Sequence, residues 1–291
     1  MAVNNQNDAG NIQWFPGHMT KTRRLIEADL KMVDAVVEVT DARIPESSRN
    51  PIIDELCGKK PRIMILNKCD AADEKATEAW RKFYEKQGMC VIVCDCRSGK
   101  GVNRFLPAVK KLLRELTERR KARGMIGKAM RLMVVGIPNV GKSSFINRMA
   151  NSRKTKVGDR PGVTRGKQWV TIDKDVELLD MPGILWPKFE DKEVAQRLAF
   201  TGAVKDEVMD TEALARALGA VLTEDYPELM KARYGIKSEG DVLVEIANAR
   251  KMLVSGGEPD TERAAAALLD EFRGGKIGKI TLDKPPFGLS E

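Results

Sequence analysis

Residues 136–143 read Gly-Ile-Pro-Asn-Val-Gly-Lys-Ser, a complete G-x-x-x-x-G-K-[ST] pattern between the apolar run Arg131 to Val135 and a helical pattern beginning near Lys142. Its glycines let consecutive backbone amides turn inward as a nest for an anion, and the helix behind adds the positive end of its dipole. The pattern therefore demands strand, tight loop and helix in that order. It predicts phosphate binding by the segment Asn139, Val140, Gly141, Lys142, Ser143 and Ser144. Lys142 is the expected charge partner of the outer phosphates, and the Ser143 hydroxyl an expected magnesium ligand.

The rest of the first half agrees with that demand. Val33 to Val39, Arg62 to Leu66 and Val91 to Cys94 read as short buried strands. Helical patterns such as Thr77 to Gln87 and Asn103 to Arg123 separate them. Such alternation implies an α/β fold, a mostly parallel sheet with helices on both faces. Gln168 to Ile172 and Val176 to Leu179, joined by Asp173-Lys174-Asp175, predict a hairpin that adds an antiparallel edge. After Pro187 the apolar spacing becomes helical. It runs through Leu214, Leu218, Val221 and Leu222, then Val242, Ile246 and Leu253, then Ala265, Leu268, Leu269 and Phe272. The expected organisation is a P-loop domain over 1–188 and an all-helical domain over 189–291.

Three further motifs surround the phosphate loop in sequence. Asp180-Met181-Pro182-Gly183 follows the last strand. Asp180 is expected to hold magnesium through water, and the Gly183 amide to meet the γ-phosphate. The polar loop Pro161 to Gly166 offers Thr164 as a second hydroxyl ligand of magnesium, with Thr155 the alternative. Asn67-Lys68-Cys69-Asp70 selects the base. The Asp70 carboxylate can accept hydrogen bonds from the N1 and N2 donors of guanine, a pair that adenine lacks. The Lys68 stem can lie over the purine, and Asn67 can tie loops together. Cys94 to Gly101 offers a loop whose backbone would touch the guanine oxygen, with Cys96 the candidate contact.

The expected ligands are therefore GTP and GDP with magnesium. The guanine motif precedes the phosphate loop, the reverse of the usual order, and that is a circularly permuted arrangement. A sheet whose original ends were neighbours tolerates it. The segment after Asp180 then runs directly into the helical domain.

With Trp14-Phe15-Pro16-Gly17-His18-Met19, Asp41-Ala42-Arg43-Ile44-Pro45 and a helical C-terminal half, nearly the whole chain resembles the YlqF-type circularly permuted GTPases of ribosome biogenesis. The resemblance implies a GTP hydrolase acting late in maturation of the large ribosomal subunit. It implies that the particle stimulates hydrolysis, that hydrolysis is coupled to release, and that the C-terminal helices contact ribosomal RNA. Ile184 stands where many GTPases carry a water-orienting glutamine, and its side chain cannot hold a water. By resemblance His18 is the substitute, completing a catalytic set with Lys142, Thr164 and Gly183. As a bare residue, a lone histidine is more often structural than catalytic. Asn139 resembles the asparagine of potassium-activated GTPases, where its carbonyl helps hold a monovalent cation; an asparagine suited to a tight loop is the other reading.

Charge and cysteine usage bear on partners. Lys and Arg number 50 against 42 Asp and Glu, a net charge of +8. That excess suits a polyanion such as ribosomal RNA. Basic residues crowd between Arg104 and Arg131, where a solvated helix face and an RNA contact read equally well. Five cysteines form no C-x-x-C pair and have no zinc-site companions, so reduced thiols in a cytoplasmic protein are expected. No apolar run approaches the ~18 residues of a membrane span. Away from the ribosome a monomer is expected. A nucleotide-gated binding module without a ribosomal role is the competing reading, whereas Asp70 opposes an ATPase or kinase. In a competition assay, ATP should displace a bound GTP analogue more than about a hundredfold less effectively than GTP. Equal displacement would remove the guanine assignment.

Overall fold

The computed structural model describes residues 23–24, 26–125, 127–151, 168–183, 185, 191–204, 210–236 and 240–286. His18 and its flanking string, Thr155, Thr164 and Ile184 lie outside the described residues.

The apolar runs form β1 (Ala35–Asp41), β2 (Arg62–Asn67), β3 (Cys90–Val93) and β4 (Met130–Val135), and the hairpin forms β5 (Gln168–Asp173) and β6 (Val176–Asp180). They make one sheet in the order β3-β2-β1-β4-β6-β5, parallel except for the antiparallel β5–β6 pair. Every residue of β1 is buried, as a central parallel strand covered on both faces requires. The chain builds outward from β1 to β3, then returns to lay β4 against the other side of β1. That reversal opens a crevice outside the carboxyl ends of β1 and β4. Gly136 sits in it at φ 150°, where a Cβ would come within 2.4 Å of the Val39 carbonyl oxygen.

The helices packed on the sheet include α1 (Pro51–Cys57), α2 (Glu74–Lys86), α3 (Phe105–Leu112), α4 (Arg114–Ala122) and α5 (Lys142–Asn151). Alternate strand residues send Val37, Ile65 and Val134 toward Phe105, Val109 and Phe145 on one face. On the other, Val36 and Met133 meet Ile26, Leu30 and Ile53, while Met64 and Leu66 meet Trp80 and Tyr84. The helix expected over Asn103–Arg123 is broken. A 3₁₀ turn at Val102–Arg104 leads into α3, and Leu113 separates α3 from α4. Leu113 is 1% exposed and leaves helical geometry at φ −99°, ψ 13°, because its side chain is drawn into the core.

The second half is helical: α6 (Lys192–Phe200), α7 (Thr211–Asp225), α8 (Pro227–Tyr234), α9 (Val242–Arg250) and α10 (Thr261–Arg273). Asp191, Asp210, Asp241 and Asp260 each cap a helix by accepting a first-turn amide, and α8 begins at a proline instead. Leu253 does not continue the period of Val242 and Ile246. Lys251 turns left-handed at φ 54° and ends α9, leaving Leu253 51% exposed in an isolated bridge to Pro259.

Beyond α10 the chain returns across the carboxyl end of the sheet. Ile280 N–H donates to Ala71 O (3.0 Å) and Leu282 N–H to Arg43 O (2.7 Å). Asp283, 2% exposed, accepts from the Glu46 and Ser47 amides (2.8 and 2.7 Å) and the Ser47 hydroxyl (2.6 Å). Its own carbonyl accepts from Trp80 Nε1 (3.0 Å). Asp283→Ala would strand the buried amide and hydroxyl of Ser47 and release the Glu46 amide, and should lower stability by about 2–4 kcal/mol in urea denaturation. A loss below about 0.5 kcal/mol would mean that this return contributes little.

Candidate nucleotide-binding site

The phosphate loop leaves β4 as Gly136 and enters α5 at Lys142. Asn139 and Gly141 take positive φ (61° and 99°), and Gly183 approaches so closely that a Cβ would lie 2.9 Å from Lys142 Nζ. Lys142 is 8% exposed, and its ammonium donates to the Ile137 carbonyl within the same loop (2.8 Å). Burial pushes the ammonium down to about 8, and Asp180 at the end of β6 pulls the other way. Burial raises the Asp180 carboxyl above its ordinary value, against the Lys142 charge. Ser143 and Ser144 lie exposed in the first turn of α5.

Ser143 and Asp180 supply a hydroxyl and a carboxylate, the hard oxygen donors that magnesium prefers. Among the described residues no cluster of three His, Cys, Asp or Glu could hold a metal.

The guanine motif sits beside this loop because Asn67 ends β2 in register with Asp41 at the end of β1. Asn67 donates to Val140 O (2.7 Å) and accepts from the Cys96 amide (3.0 Å), so one side chain ties three loops. A Cβ on Gly141 would come within 2.3 Å of Asn67 Nδ2, so this loop needs glycine there. Cys96 is buried, and its amide already serves Asn67. Asp95 shapes the same loop by accepting from the Arg97 and Ser98 amides (2.7 and 3.0 Å). Asp70 is exposed at the mouth of the crevice.

Lys68, at φ 61°, reaches Asp41 Oδ2 (2.9 Å) and the Asn139 carbonyl (2.6 Å). Asp41 also holds Arg43, whose Nε and Nη2 donate to its two oxygens at 3.0 and 2.8 Å. Burial alone would raise the Asp41 carboxyl, but Arg43 and Lys68 hold it well below the usual carboxylate range. Arg43 is 1% exposed. Its Nη1 donates to the Phe272 and Arg273 carbonyls (3.1 and 3.2 Å) at the end of α10, where the helix dipole favours a cation. Arg273 in turn donates to the Phe200 and Ala199 carbonyls (3.1 and 2.9 Å) that end α6. Two residues on, the Gly202 carbonyl accepts from Asn139 Nδ2.

These bonds close a ring: Asn139, Lys68, Asp41, Arg43, α10, Arg273, α6, Gly202 and back to Asn139. Beside it lies a cleft of about 830 Å³. Lys68, Asp70, Cys96, Asn139 and Ser144 line one wall, and Thr201, Gly202, Val204 and Arg273 the other. The structure thus brings together Asn67, Lys68, Asp70, Cys96 and the phosphate loop. It adds Arg43 and Arg273, to which sequence motifs assigned no site role. The Asp-x-Arg spacing at a strand end was the available signal for Arg43; Arg273 had none. Asn139 spends its amide nitrogen on Gly202, which leaves its side-chain oxygen as the group that could face a cation.

A family described as 50S ribosome-binding GTPase matches residues 131–234. The chain is 47% identical to a protein of Priestia megaterium (strain DSM 319 / IMG 1521) named Ribosome biogenesis GTPase A, over 94% of this chain and 97% of that one. Among solved structures, a GDP-bound structure of TM YlqF matches with a TM-score of 0.64 at 30% identity, covering 91% of this chain and all of that one. A GNP-bound YlqF from T. maritima matches at 0.63 and 31%, covering 91% and 99%.

Phosphate oxygens beside Lys142 favour its charged form, so nucleotide should raise its pKa. Below pH 8 the lysine is then charged both free and bound, and affinity is flat. As pH rises through 8 the free protein loses the proton, and binding must take one up. GDP affinity should fall between pH 8 and 9. Calorimetry in buffers of differing ionisation enthalpy should register uptake of roughly 0.7 proton at pH 8.5. Uptake near zero at that pH would mean that Lys142 does not meet the phosphates.

Proposed function

The chain belongs to the YlqF-type family of ribosome biogenesis GTPase A and is a GTP hydrolase; on that premise we propose that it acts late in maturation of the large ribosomal subunit, with hydrolysis stimulated by the particle and coupled to release. The ring that joins the guanine motif and phosphate loop to α6 and α10 is the observation that carries this reading. A change at the nucleotide reaches the helices through Asn139 and Gly202, and through Lys68, Asp41 and Arg43.

In this reading 1–188 is the GTPase domain and 189–291 a helical domain whose surface meets ribosomal RNA. The protein works in the cytoplasm, as a monomer when off the particle. Asn67 and Cys96 shape the base site, Asp70 accepts the guanine donors and Lys68 covers the ring. Amides from Asn139 to Ser144 cradle the phosphates. Lys142 offsets the charge that develops on the transferred phosphoryl group, and the Gly183 amide meets its oxygens. Ser143, Asp180 and Thr164 would hold magnesium, which supplies further charge neutralisation at the phosphates. Asn139 would offer its oxygen to potassium. His18 would orient the attacking water, a role open because Ile184 cannot fill it. Loss of the γ-phosphate removes the partner of Gly183, and the chain from there leads into α6.

Steady-state GTP hydrolysis with and without purified large ribosomal subunits tests the proposal. In potassium buffer the subunits should raise the rate many-fold; sodium and His18→Ala should each remove most of that rise while GTP affinity persists. A rate indifferent to subunits, with GTP still preferred over ATP, would leave the nucleotide site standing and overturn the ribosomal role.

A further inference from the structure

The five parallel strands all begin at the end of the sheet opposite the nucleotide cleft. Segments at that end carry exposed cations: Lys31 before β1, Lys59 before β2, Lys121, Arg123 and Lys128 before β4, and Lys174 in the β5–β6 turn. None of the six has an ion-pair partner among the described residues.

The acids at this end are mostly engaged elsewhere. Asp34 takes both terminal nitrogens of Arg120 (2.9 and 2.5 Å) and the Arg131 amide (3.0 Å). Asp173 and Asp175 hold Lys110 (2.8 and 3.5 Å), and Glu118 pairs with Arg114 (3.3 Å). Asp29, two residues from Lys31, is sealed from solvent, and the Glu115 carboxylate on α4 lies exposed.

The helix α4 is itself unusual, since none of its nine residues is buried. A polar helix of that length is marginal in isolation. Its last turn is pinned to the sheet by Arg120 and Asp34, a pair with each side chain 13–14% exposed. Leu116 leans half-buried on the core, and the two contacts together fix Arg119, Lys121 and Arg123 at the surface.

We propose that this end of the sheet is a docking surface for the phosphate backbone of structured RNA. From β2 to β6 the edge spans about 15 Å, three strand spacings. Neither α4 nor the turn up to Lys128 carries an aromatic side chain, so the surface can neutralise phosphates but has no platform for stacking unpaired bases. The helical half docks at the opposite, carboxyl end of the sheet, so the two surfaces could hold separate RNA elements. The identity of that RNA as ribosomal rests on the function proposed above; the surface chemistry does not.

The test is a full-length triple variant, Lys121→Gln, Arg123→Gln and Lys128→Gln. Its binding to large ribosomal subunits, and to an RNA duplex of about 16 base pairs, is measured across a salt series. Affinity for both should fall at least about tenfold, and the slope of log K against log salt should shrink by about 2–3. GTP affinity and Tm should not change. Unchanged affinity and slope on both probes would overturn the proposal. So would a loss that salt does not affect, the signature of a protein partner. Wild-type binding to the duplex but not to subunits would keep the surface and remove the ribosomal reading.

Discussion

Asp41 ends the central strand with its carboxylate sealed from solvent, and two cations reach it from different directions. Lys68 comes from the guanine motif, and Arg43 comes from the turn after the strand and continues to the last carbonyls of α10. A buried ion pair contributes little net stability, because desolvation offsets most of the attraction. Removing one partner, however, leaves the other charged in a place that water cannot reach. What the cluster supplies is position. It sets where Lys68 stands relative to the phosphate loop and where α10 ends relative to the sheet.

The sheet topology explains why this cluster sits at the nucleotide site. With β1 flanked by β2 and β4, the loops after all three strands emerge together, and each carries a motif: Asp41 to Arg43, Asn67 to Asp70, and Gly136 to Ser143. Motif order along the chain is immaterial to that convergence. The permutation matters instead for the route of the chain beyond Asp180, which leads to α6, and α6 ends against Arg273 and Asn139.

Lys142 shows the energetic tension of such a site. A nearly buried ammonium facing one carbonyl and one half-buried carboxylate is costly, as its lowered pKa records. In the role proposed for Lys142, the same enclosure, with low polarisability and preset amides, would strengthen every contact to a phosphate.

Local chemistry was legible from the residues in order. The phosphate loop, Asn67 to Asp70 and Asp180 to Gly183 are each recognisable as motifs within a few positions, and the apolar runs of the strands have a period that burial enforces. Less legible was whatever depends on partners distant in sequence. Leu113 breaks a continuous helical pattern because the core claims its side chain, and Leu253 stays outside because Lys251 turns the chain first. The basic run before β4 gave no sign of which cations were neutralised; Asp34, 86 positions from Arg120, decided that. Arg43 and the end of α10 lie 229 positions apart, and nothing in either stretch names the other. The sequence by itself determined the nucleotide, the motifs and the strand–helix alternation, since these depend on short-range stereochemistry and hydrophobic period. Only the tertiary structure decided that the helical half forms a wall of the candidate nucleotide cleft, because a helix end and a buried arginine find each other through packing of the whole chain.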